Sequence, residues 1–275
     1  MVDTALLAMV ANPLDGLSDE MDELLDGFMS KPLVGSSEMG LTTYIFWMCV
    51  ALALLLIVIF AFKARQTKGL VPEGVFVNAM ESVVEFVRDD MCKSILGDSW
   101  KRHFPFLAAI FFFIAANSIV GIIPGAHPGT GTIGVTGALA LCSFFYFIVM
   151  GVRRMGPIGY LKSLAPKGVV FPLNVLVWVI ELFSTFLRLV TLAVRLFCNM
   201  FAGHVVMGTF AILAALFVGP LMQEASAAAM GYAAASAFWV VLLIVIYLVE
   251  ILVGIIQAYV FTLLSAVYIQ LVESE

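Results

Sequence analysis

After residue 40 the chain carries one apolar run after another, each about 20 residues or longer, the length that crosses a hydrocarbon layer as a helix. A soluble chain of 275 residues would wrap one or two cores in a polar shell. Here 63% of the residues are hydrophobic and 12% are charged, against about 25% charged in ordinary soluble domains. Soluble folds are therefore excluded. A β-barrel would read as alternating segments of roughly 10 residues, whereas these runs are continuous and rich in Leu, Ala, Phe and Ile. The expected class is an all-α membrane protein whose first partner is the lipid bilayer.

Charge divides the chain. Residues 1–40 hold eight acidic residues and one basic residue, while the remainder is slightly basic. This predicts an acidic N-terminal segment, 1–40, and a membrane domain, 41–275. Nothing in the balance suits nucleic acid. Cys49, Cys92, Cys142 and Cys198 are far apart, with no pair at metal-ligand spacing, so neither a metal, a cofactor nor a disulfide framework is expected. The first twelve residues lack the basic flank of a signal peptide, and no cleavage is expected there. Leu17, Met21, Leu24, Leu25 and Phe28 recur at helical spacing among Asp19, Glu20, Asp22, Glu23 and Asp26. That stretch reads either as a short amphipathic surface helix or as a solvated acidic tail.

Basic clusters set the orientation. Leu41–Phe62 forms the first span, followed at once by Lys63, Arg65 and Lys68, which places the N-terminus outside. Residues 73–97 align Val77, Met80, Val84, Val87, Met91 and Ile95 in one stripe, predicting an amphipathic helix at the inner interface. Lys101 and Arg102 precede a second span, Phe104–Ile123; a Gly-rich turn leads to a third, Val135–Val152. Arg153, Arg154, Lys162 and Lys167 then return the basic signal to the inside.

From Val169 to Val218 the only ionisable residues are Glu181, Arg188, Arg195 and His204. As a helix these 50 residues would be about 75 Å long, against a hydrocarbon core of about 30 Å. Two readings compete: a hairpin of two spans, or one long helix steeply tilted. Residues 173–202 contain neither Pro nor Gly, and a hairpin would expose Arg188 and Arg195 on the outer side, so the tilted helix is favoured. The same length problem recurs in Ala237–Val272. The expected fold is five membrane helices plus one amphipathic interfacial helix, with the last two membrane helices long and steeply tilted.

An arginine at the centre of a membrane helix costs roughly 2.5–3.5 kcal/mol on insertion scales, so Arg195 must face protein or water and is a functional candidate. Glu181, Arg188 and Arg195 are seven apart and fall within about 20° of one another per step, with Asn199 one turn further on. His204 lies nine positions from Arg195, about 180° round the helix. On the last helix Glu250, Gly254 and Gln257 share one face, and Gly254 would let another helix approach closely. Pairing of Glu250 with His204 or an arginine purely to hold helices together is the competing reading. Near a helix end, Arg188 could instead snorkel to the interface.

These residues carry a signature. The segment TLAVRLFCNMFAGH, Thr191–His204, resembles that of the F-type ATP synthase a subunit, and Glu250 with GIIQAYVFTLLSAVY, Gly254–Tyr268, resembles that family's last helix. The likeness runs from about residue 41 onward and includes the amphipathic helix and the IIPG turn at Ile122–Gly125. It implies that Arg195 is the family's essential arginine, Asn199 the polar residue after it, and Gln257 the glutamine facing it from the last helix. Glu181 and His204 match positions lining two aqueous half-channels, and the His204/Glu250 order resembles the mitochondrial and related bacterial branch. Cys198 stands where glycine or alanine is usual, and Arg188–Leu189 replaces a Lys-Pro pair of some members.

The implied function is a non-catalytic, proton-conducting stator that works against a ring of c subunits and is held by b-type peripheral stalk subunits. The implied setting is a bacterial inner membrane, or alternatively a mitochondrial one. A secondary ion transporter is the alternative function, though no internal repeat is evident. A membrane hydrolase would need a nucleophile and base or a metal motif, and the sequence offers none.

Overall fold

The computed structural model describes residues 17–27, 32–34, 41–65, 74–123, 125–163, 173–223 and 227–274. Helix α1, Leu17–Gly27, is followed by a short antiparallel pair, β1 (Pro32–Val34) and β2 (Leu41–Thr42). Helix α2 runs over Thr43–Arg65. Helix α3, Val75–Glu85, continues into a π-helical segment, Phe86–Lys93, and a short α4, Ser94–Leu96. A 3-10 turn, Gly97–Ser99, leads into α5, Trp100–Gly121. Then come α6 (Ile133–Met155), α7 (Pro157–Ser163), α8 (Leu173–Gln223) and α9 (Ala227–Ser274). The chain is an all-α membrane protein, and the described residues hold five helical stretches long and apolar enough to cross a membrane. The N-terminal stretch 1–12 and the segments containing Lys68 and Lys167 lie outside the described residues.

The elements begin and end where the chemistry requires. Gly97 adopts φ 54° and Gly156 φ 77°, a region that costs any residue with a Cβ, and each breaks the helix that precedes it. The Gly156 N–H donates to Val152 O at 2.8 Å, closing the end of α6. The amphipathic 73–97 helix is present as α3, the π-helical segment and α4, with Val77, Val87 and Met91 buried as the stripe required. Its charged side is internally paired: Arg88 Nη2 lies 2.7 Å from Asp89 Oδ2, and Lys93 Nζ 3.1 Å from Asp89 Oδ1. Of the two readings for residues 169–218, the single helix is the one found: α8 is continuous over 51 residues. The last helix is likewise continuous over 48 residues and longer at both ends than the sequence signals suggested; at its N-terminal end the flanking segment is rich in Ala, a strong helix former, and has no proline.

Two compact units divide the chain, with the divisions falling inside helices. One comprises Trp47–Cys198 and Gly254–Glu275. Its core interleaves Leu107, Phe111 and Ile114 of α5 with Phe147 of α6, Leu192 and Leu196 of α8, and Ala258, Phe261 and Ile269 of α9. Small residues set the closest approaches here. A Cβ on Gly254 would sit 2.8 Å from Ser118 Cβ on α5, the close helix approach expected from the sequence. Gly151 similarly admits the Tyr160 ring and Val272.

The other unit comprises Met1–Phe46 and Asn199–Val253. Within it α1 docks its apolar face on α8: Leu24 lies against Gly208, and the Thr209 hydroxyl donates to Met21 Sδ at 3.6 Å. The acidic stretch is thus a helix, and its charged side chains Asp19, Glu20, Asp22, Glu23 and Asp26 are exposed. Trp239 of α9 packs against Phe210 and Phe217 of α8, with ring centroids at 5.6 and 6.4 Å. Large apolar side chains such as Ile57, Phe60, Phe145, Phe183 and Leu248 remain exposed over both units, a surface suited to hydrocarbon and unsuited to water.

Candidate functional site

Helix α8 carries its ionisable groups on a backbone that hides its own polarity. Thr185 donates its hydroxyl to Glu181 O and Thr191 to Leu187 O, so neither presents an unmatched hydroxyl. The stripe expected at seven-residue spacing is partly joined: Arg188 Nη2 donates to Glu181 Oε1 at 2.8 Å. Arg188 also lies over the Tyr268 ring, 5.2 Å from its centroid, a cation–π contact with α9. Arg188 is therefore committed to partners within the chain and does not merely reach for the interface. Arg195 is different. It lies on an exposed face beside exposed Val194 and Cys198, and among the described residues it makes no ion pair.

The Asn199–Val253 unit gathers a second polar set. Glu250 is 9% exposed, and its Oε1 is buried with no hydrogen-bond partner among the described residues. Its carboxylate lies against Gly203 of α8, where any Cβ would collide with both oxygens. His204, the next residue, is half-buried. Asn199, one turn earlier on α8, has its Nδ2 buried without a hydrogen-bond partner among the described residues. An ion pair of Glu250 with an arginine, the packing alternative raised by the sequence, is absent among the described residues.

Gln257, on the buried face of α9 in the other unit, is 7% exposed, and its Nε2 has no hydrogen-bond partner among the described residues. A stable fold rarely leaves such buried polar atoms unmatched, because each costs about 1–3 kcal/mol. Asn199, Glu250 and Gln257 are three of the residues with such an atom; Asn117, Thr130, Asn174, Thr262 and Glu273 are others. Further along α9 Ser265 is satisfied: Ser143 donates to Ser265 Oγ at 2.8 Å, and Ser265 to Phe261 O at 2.9 Å.

Sequence reasoning singled out Glu181, Arg195, Asn199, His204, Glu250 and Gln257, and passed over two features. Gly203 was one, since nothing in sequence shows that a carboxylate 47 positions later needs the space of its missing Cβ. The other is a trio made of His103, Tyr146 and Glu273, far apart in sequence; the rarity of histidine, three in 275 residues, was the available signal.

Long apolar helices with a few ionisable groups carried on the last two define a multi-pass α-helical membrane protein of the ion-handling kind. Residues 45–270 match the family of the ATP synthase A chain, and the chain belongs to that family, a membrane Fo subunit of the rotary ATP synthase. It is similar to ATP synthase subunit a of Chloroherpeton thalassium, 34% identical over 271 residues, covering 97% of this chain and 77% of that protein. The corresponding protein of Myxococcus xanthus is 35% identical over 91% of this chain and 76% of its own length. That of Chlorobium phaeobacteroides strain BS1 is 34% identical over 88% of this chain and 69% of its own. The family ties the chain to ATP synthesis and proton transport across a membrane.

Proposed function

We propose that this chain is the proton-conducting stator of an F-type ATP synthase, in which two aqueous half-channels deliver protons to, and remove them from, a carboxylate on each subunit of a rotating c ring. Arg195 carries the reading. A cation on an apolar, exposed helix face, with no ion pair among the described residues, calls for a carboxylate from a partner. A fixed guanidinium beside an arriving carboxylate favours its ionised form and so favours proton release to the inner side. The same charge repels a proton passing directly between the half-channels.

Glu250, His204 and Asn199 serve the outer half-channel, and Glu181 the inner one, with Gln257 supporting Arg195 from α9. Each has a polar atom able to accept or donate a proton or to bind channel water. Helices α8 and α9 exceed the hydrocarbon thickness as unbroken helices, so they lie steeply tilted along the ring. Residues 1–40 form an acidic segment outside and 41–275 the membrane domain, held by b-type stalk subunits in a bacterial inner membrane. The chain performs no covalent catalysis in this role.

The test is Arg195→Ala in the whole complex, reconstituted in vesicles. ATP-driven pumping and ATP synthesis are expected to vanish while the c ring still copurifies, and passive proton leak is expected to rise. Near-normal coupled pumping would overturn the stator reading.

A further inference from the structure

A buried hydrogen-bonded trio lies apart from these residues, within the Trp47–Cys198 and Gly254–Glu275 unit. His103, in the first turn of α5, is 0% exposed. Its Nδ1 is 3.0 Å from Tyr146 Oη on α6, and its Nε2 is 3.0 Å from Glu273 Oε1 near the end of α9. Phe106 stacks face to face on the Tyr146 ring at 3.8 Å and holds the phenol in place. The second carboxylate oxygen, Glu273 Oε2, is buried with no hydrogen-bond partner among the described residues.

An imidazole can be buried on both nitrogens only where its neighbours serve the protonation state it holds. Here they serve both. In the neutral ring, Nε2–H donates to Glu273 and Nδ1 accepts from the Tyr146 hydroxyl, leaving the trio with one negative charge. With one proton added at Nδ1, both ring N–H groups donate, the Tyr146 oxygen accepts, and the trio is neutral. Only the phenol hydrogen turns, and no heavy atom moves.

We infer that His103, Tyr146 and Glu273 form a proton-holding site on the inner side of the membrane domain, taking up one proton on its way out of the inner half-channel and yielding it to the inner water. The inference rests on the stator reading above. The proton arrives from channel water, forms the Nδ1–H bond and leaves to water by breaking it, so nothing else is consumed. The inner side is set by Lys101 and Arg102, just before His103, and by Arg153 and Arg154 at the end of α6. A latch meant only to fasten α9 to α5 and α6 would gain little from buried ionisable groups.

The charges around the trio are few. Lys101 and Arg102 lie on α5, Arg153 and Arg154 on α6, and Asp98 on the turn before α5. The π-helical segment packed against α5 carries Arg88, Asp89, Asp90 and Lys93, of which Arg88, Asp89 and Lys93 are paired together. A site that takes up one proton and yields it on the inner side responds to inner pH.

The test uses the whole ATP synthase in proteoliposomes, with ATP synthesis driven at fixed potential and fixed outer pH while inner pH is stepped from about 6 to about 8.5. Tyr146→Phe keeps the stacked ring and removes only the hydroxyl, whereas His103→Gln and Glu273→Gln remove the titrating groups. Each is expected to flatten the inner-pH dependence, altering the ratio of rates at the two ends by about threefold or more. Tyr146→Phe is expected to do so with complex recovered at the parental level. Parental profiles in all three, or lower recovery with an unchanged profile per assembled complex, overturn the site and leave a packing cluster. Arg195→Ala, run alongside, separates the two failures: normal pumping there sinks the stator reading, while its loss beside unaltered profiles in the trio sinks the trio alone.

Discussion

The carboxylate of Glu250 on α9 rests against Gly203 on α8, in space that any other residue at 203 would fill with its Cβ. The contact brings an ionisable group of the last helix beside the residue preceding His204, although nearly fifty positions of chain lie between. It also explains how a carboxylate can be nine-tenths buried between two helices without displacing either.

Gly203 is accordingly a positioning residue for Glu250. Gly203→Val is expected to push the carboxylate out and slow coupled proton flow by about tenfold or more, since overpacking at a tight contact costs about 1–3 kcal/mol. Gly203→Ala should do less. Proton flux in vesicles, scaled to the amount of assembled complex, measures the effect; parental flux in Gly203→Val would show that the contact has no bearing on conduction.

Arg195→Lys separates a tether from a permanent charge. A guanidinium keeps its proton in a low-dielectric site where an ammonium readily gives it up. Coupled pumping is therefore expected to drop by about tenfold or more in the lysine variant despite the retained positive side chain. Pumping within about twofold of the parent would mean that any cation suffices there.

The Glu181–Arg188 pair at 2.8 Å bears on the proposed inner half-channel, because a carboxylate lining it would have to be reachable by water. Cys49, Cys142 and Cys198 are exposed, so the experiment needs a cysteine-free background. In that background Glu181→Cys is expected to react with a membrane-impermeant thiol reagent from the inner compartment. Labelling from the outer face alone would reverse the assigned orientation.

The docking of α1 predicts a cross-link. Met21 and Thr209 touch, with the hydroxyl 3.6 Å from the sulfur, so Met21→Cys with Thr209→Cys should be joined by a short bifunctional thiol reagent. Adding Leu24→Asp should abolish the cross-link, because the carboxylate would be pressed onto the α8 backbone at Gly208. Failure of the first pair to cross-link in the assembled complex would mean that the acidic helix lies elsewhere.

Much of this molecule is determined by sequence alone, for a physical reason. Hydrocarbon admits only helices or closed barrels, so uninterrupted apolar runs define the spans with no knowledge of packing, and flanking basic clusters set their expected sense. The absence of Pro and Gly from 173–202 likewise decides one helix over a hairpin, since helix continuity is a local property. The seven-residue spacing of Glu181, Arg188 and Arg195 aligns them by helix geometry; their different fates, Arg188 paired and Arg195 without an ion pair among the described residues, do not follow from spacing. Those depend on what lies opposite, and only the tertiary structure brings Tyr268 under Arg188, Gly203 under Glu250, or Tyr146 and Glu273 onto His103. Periodicity tells which residues share a face of one helix. Which faces meet is settled by side-chain shape at distances that no sequence interval encodes.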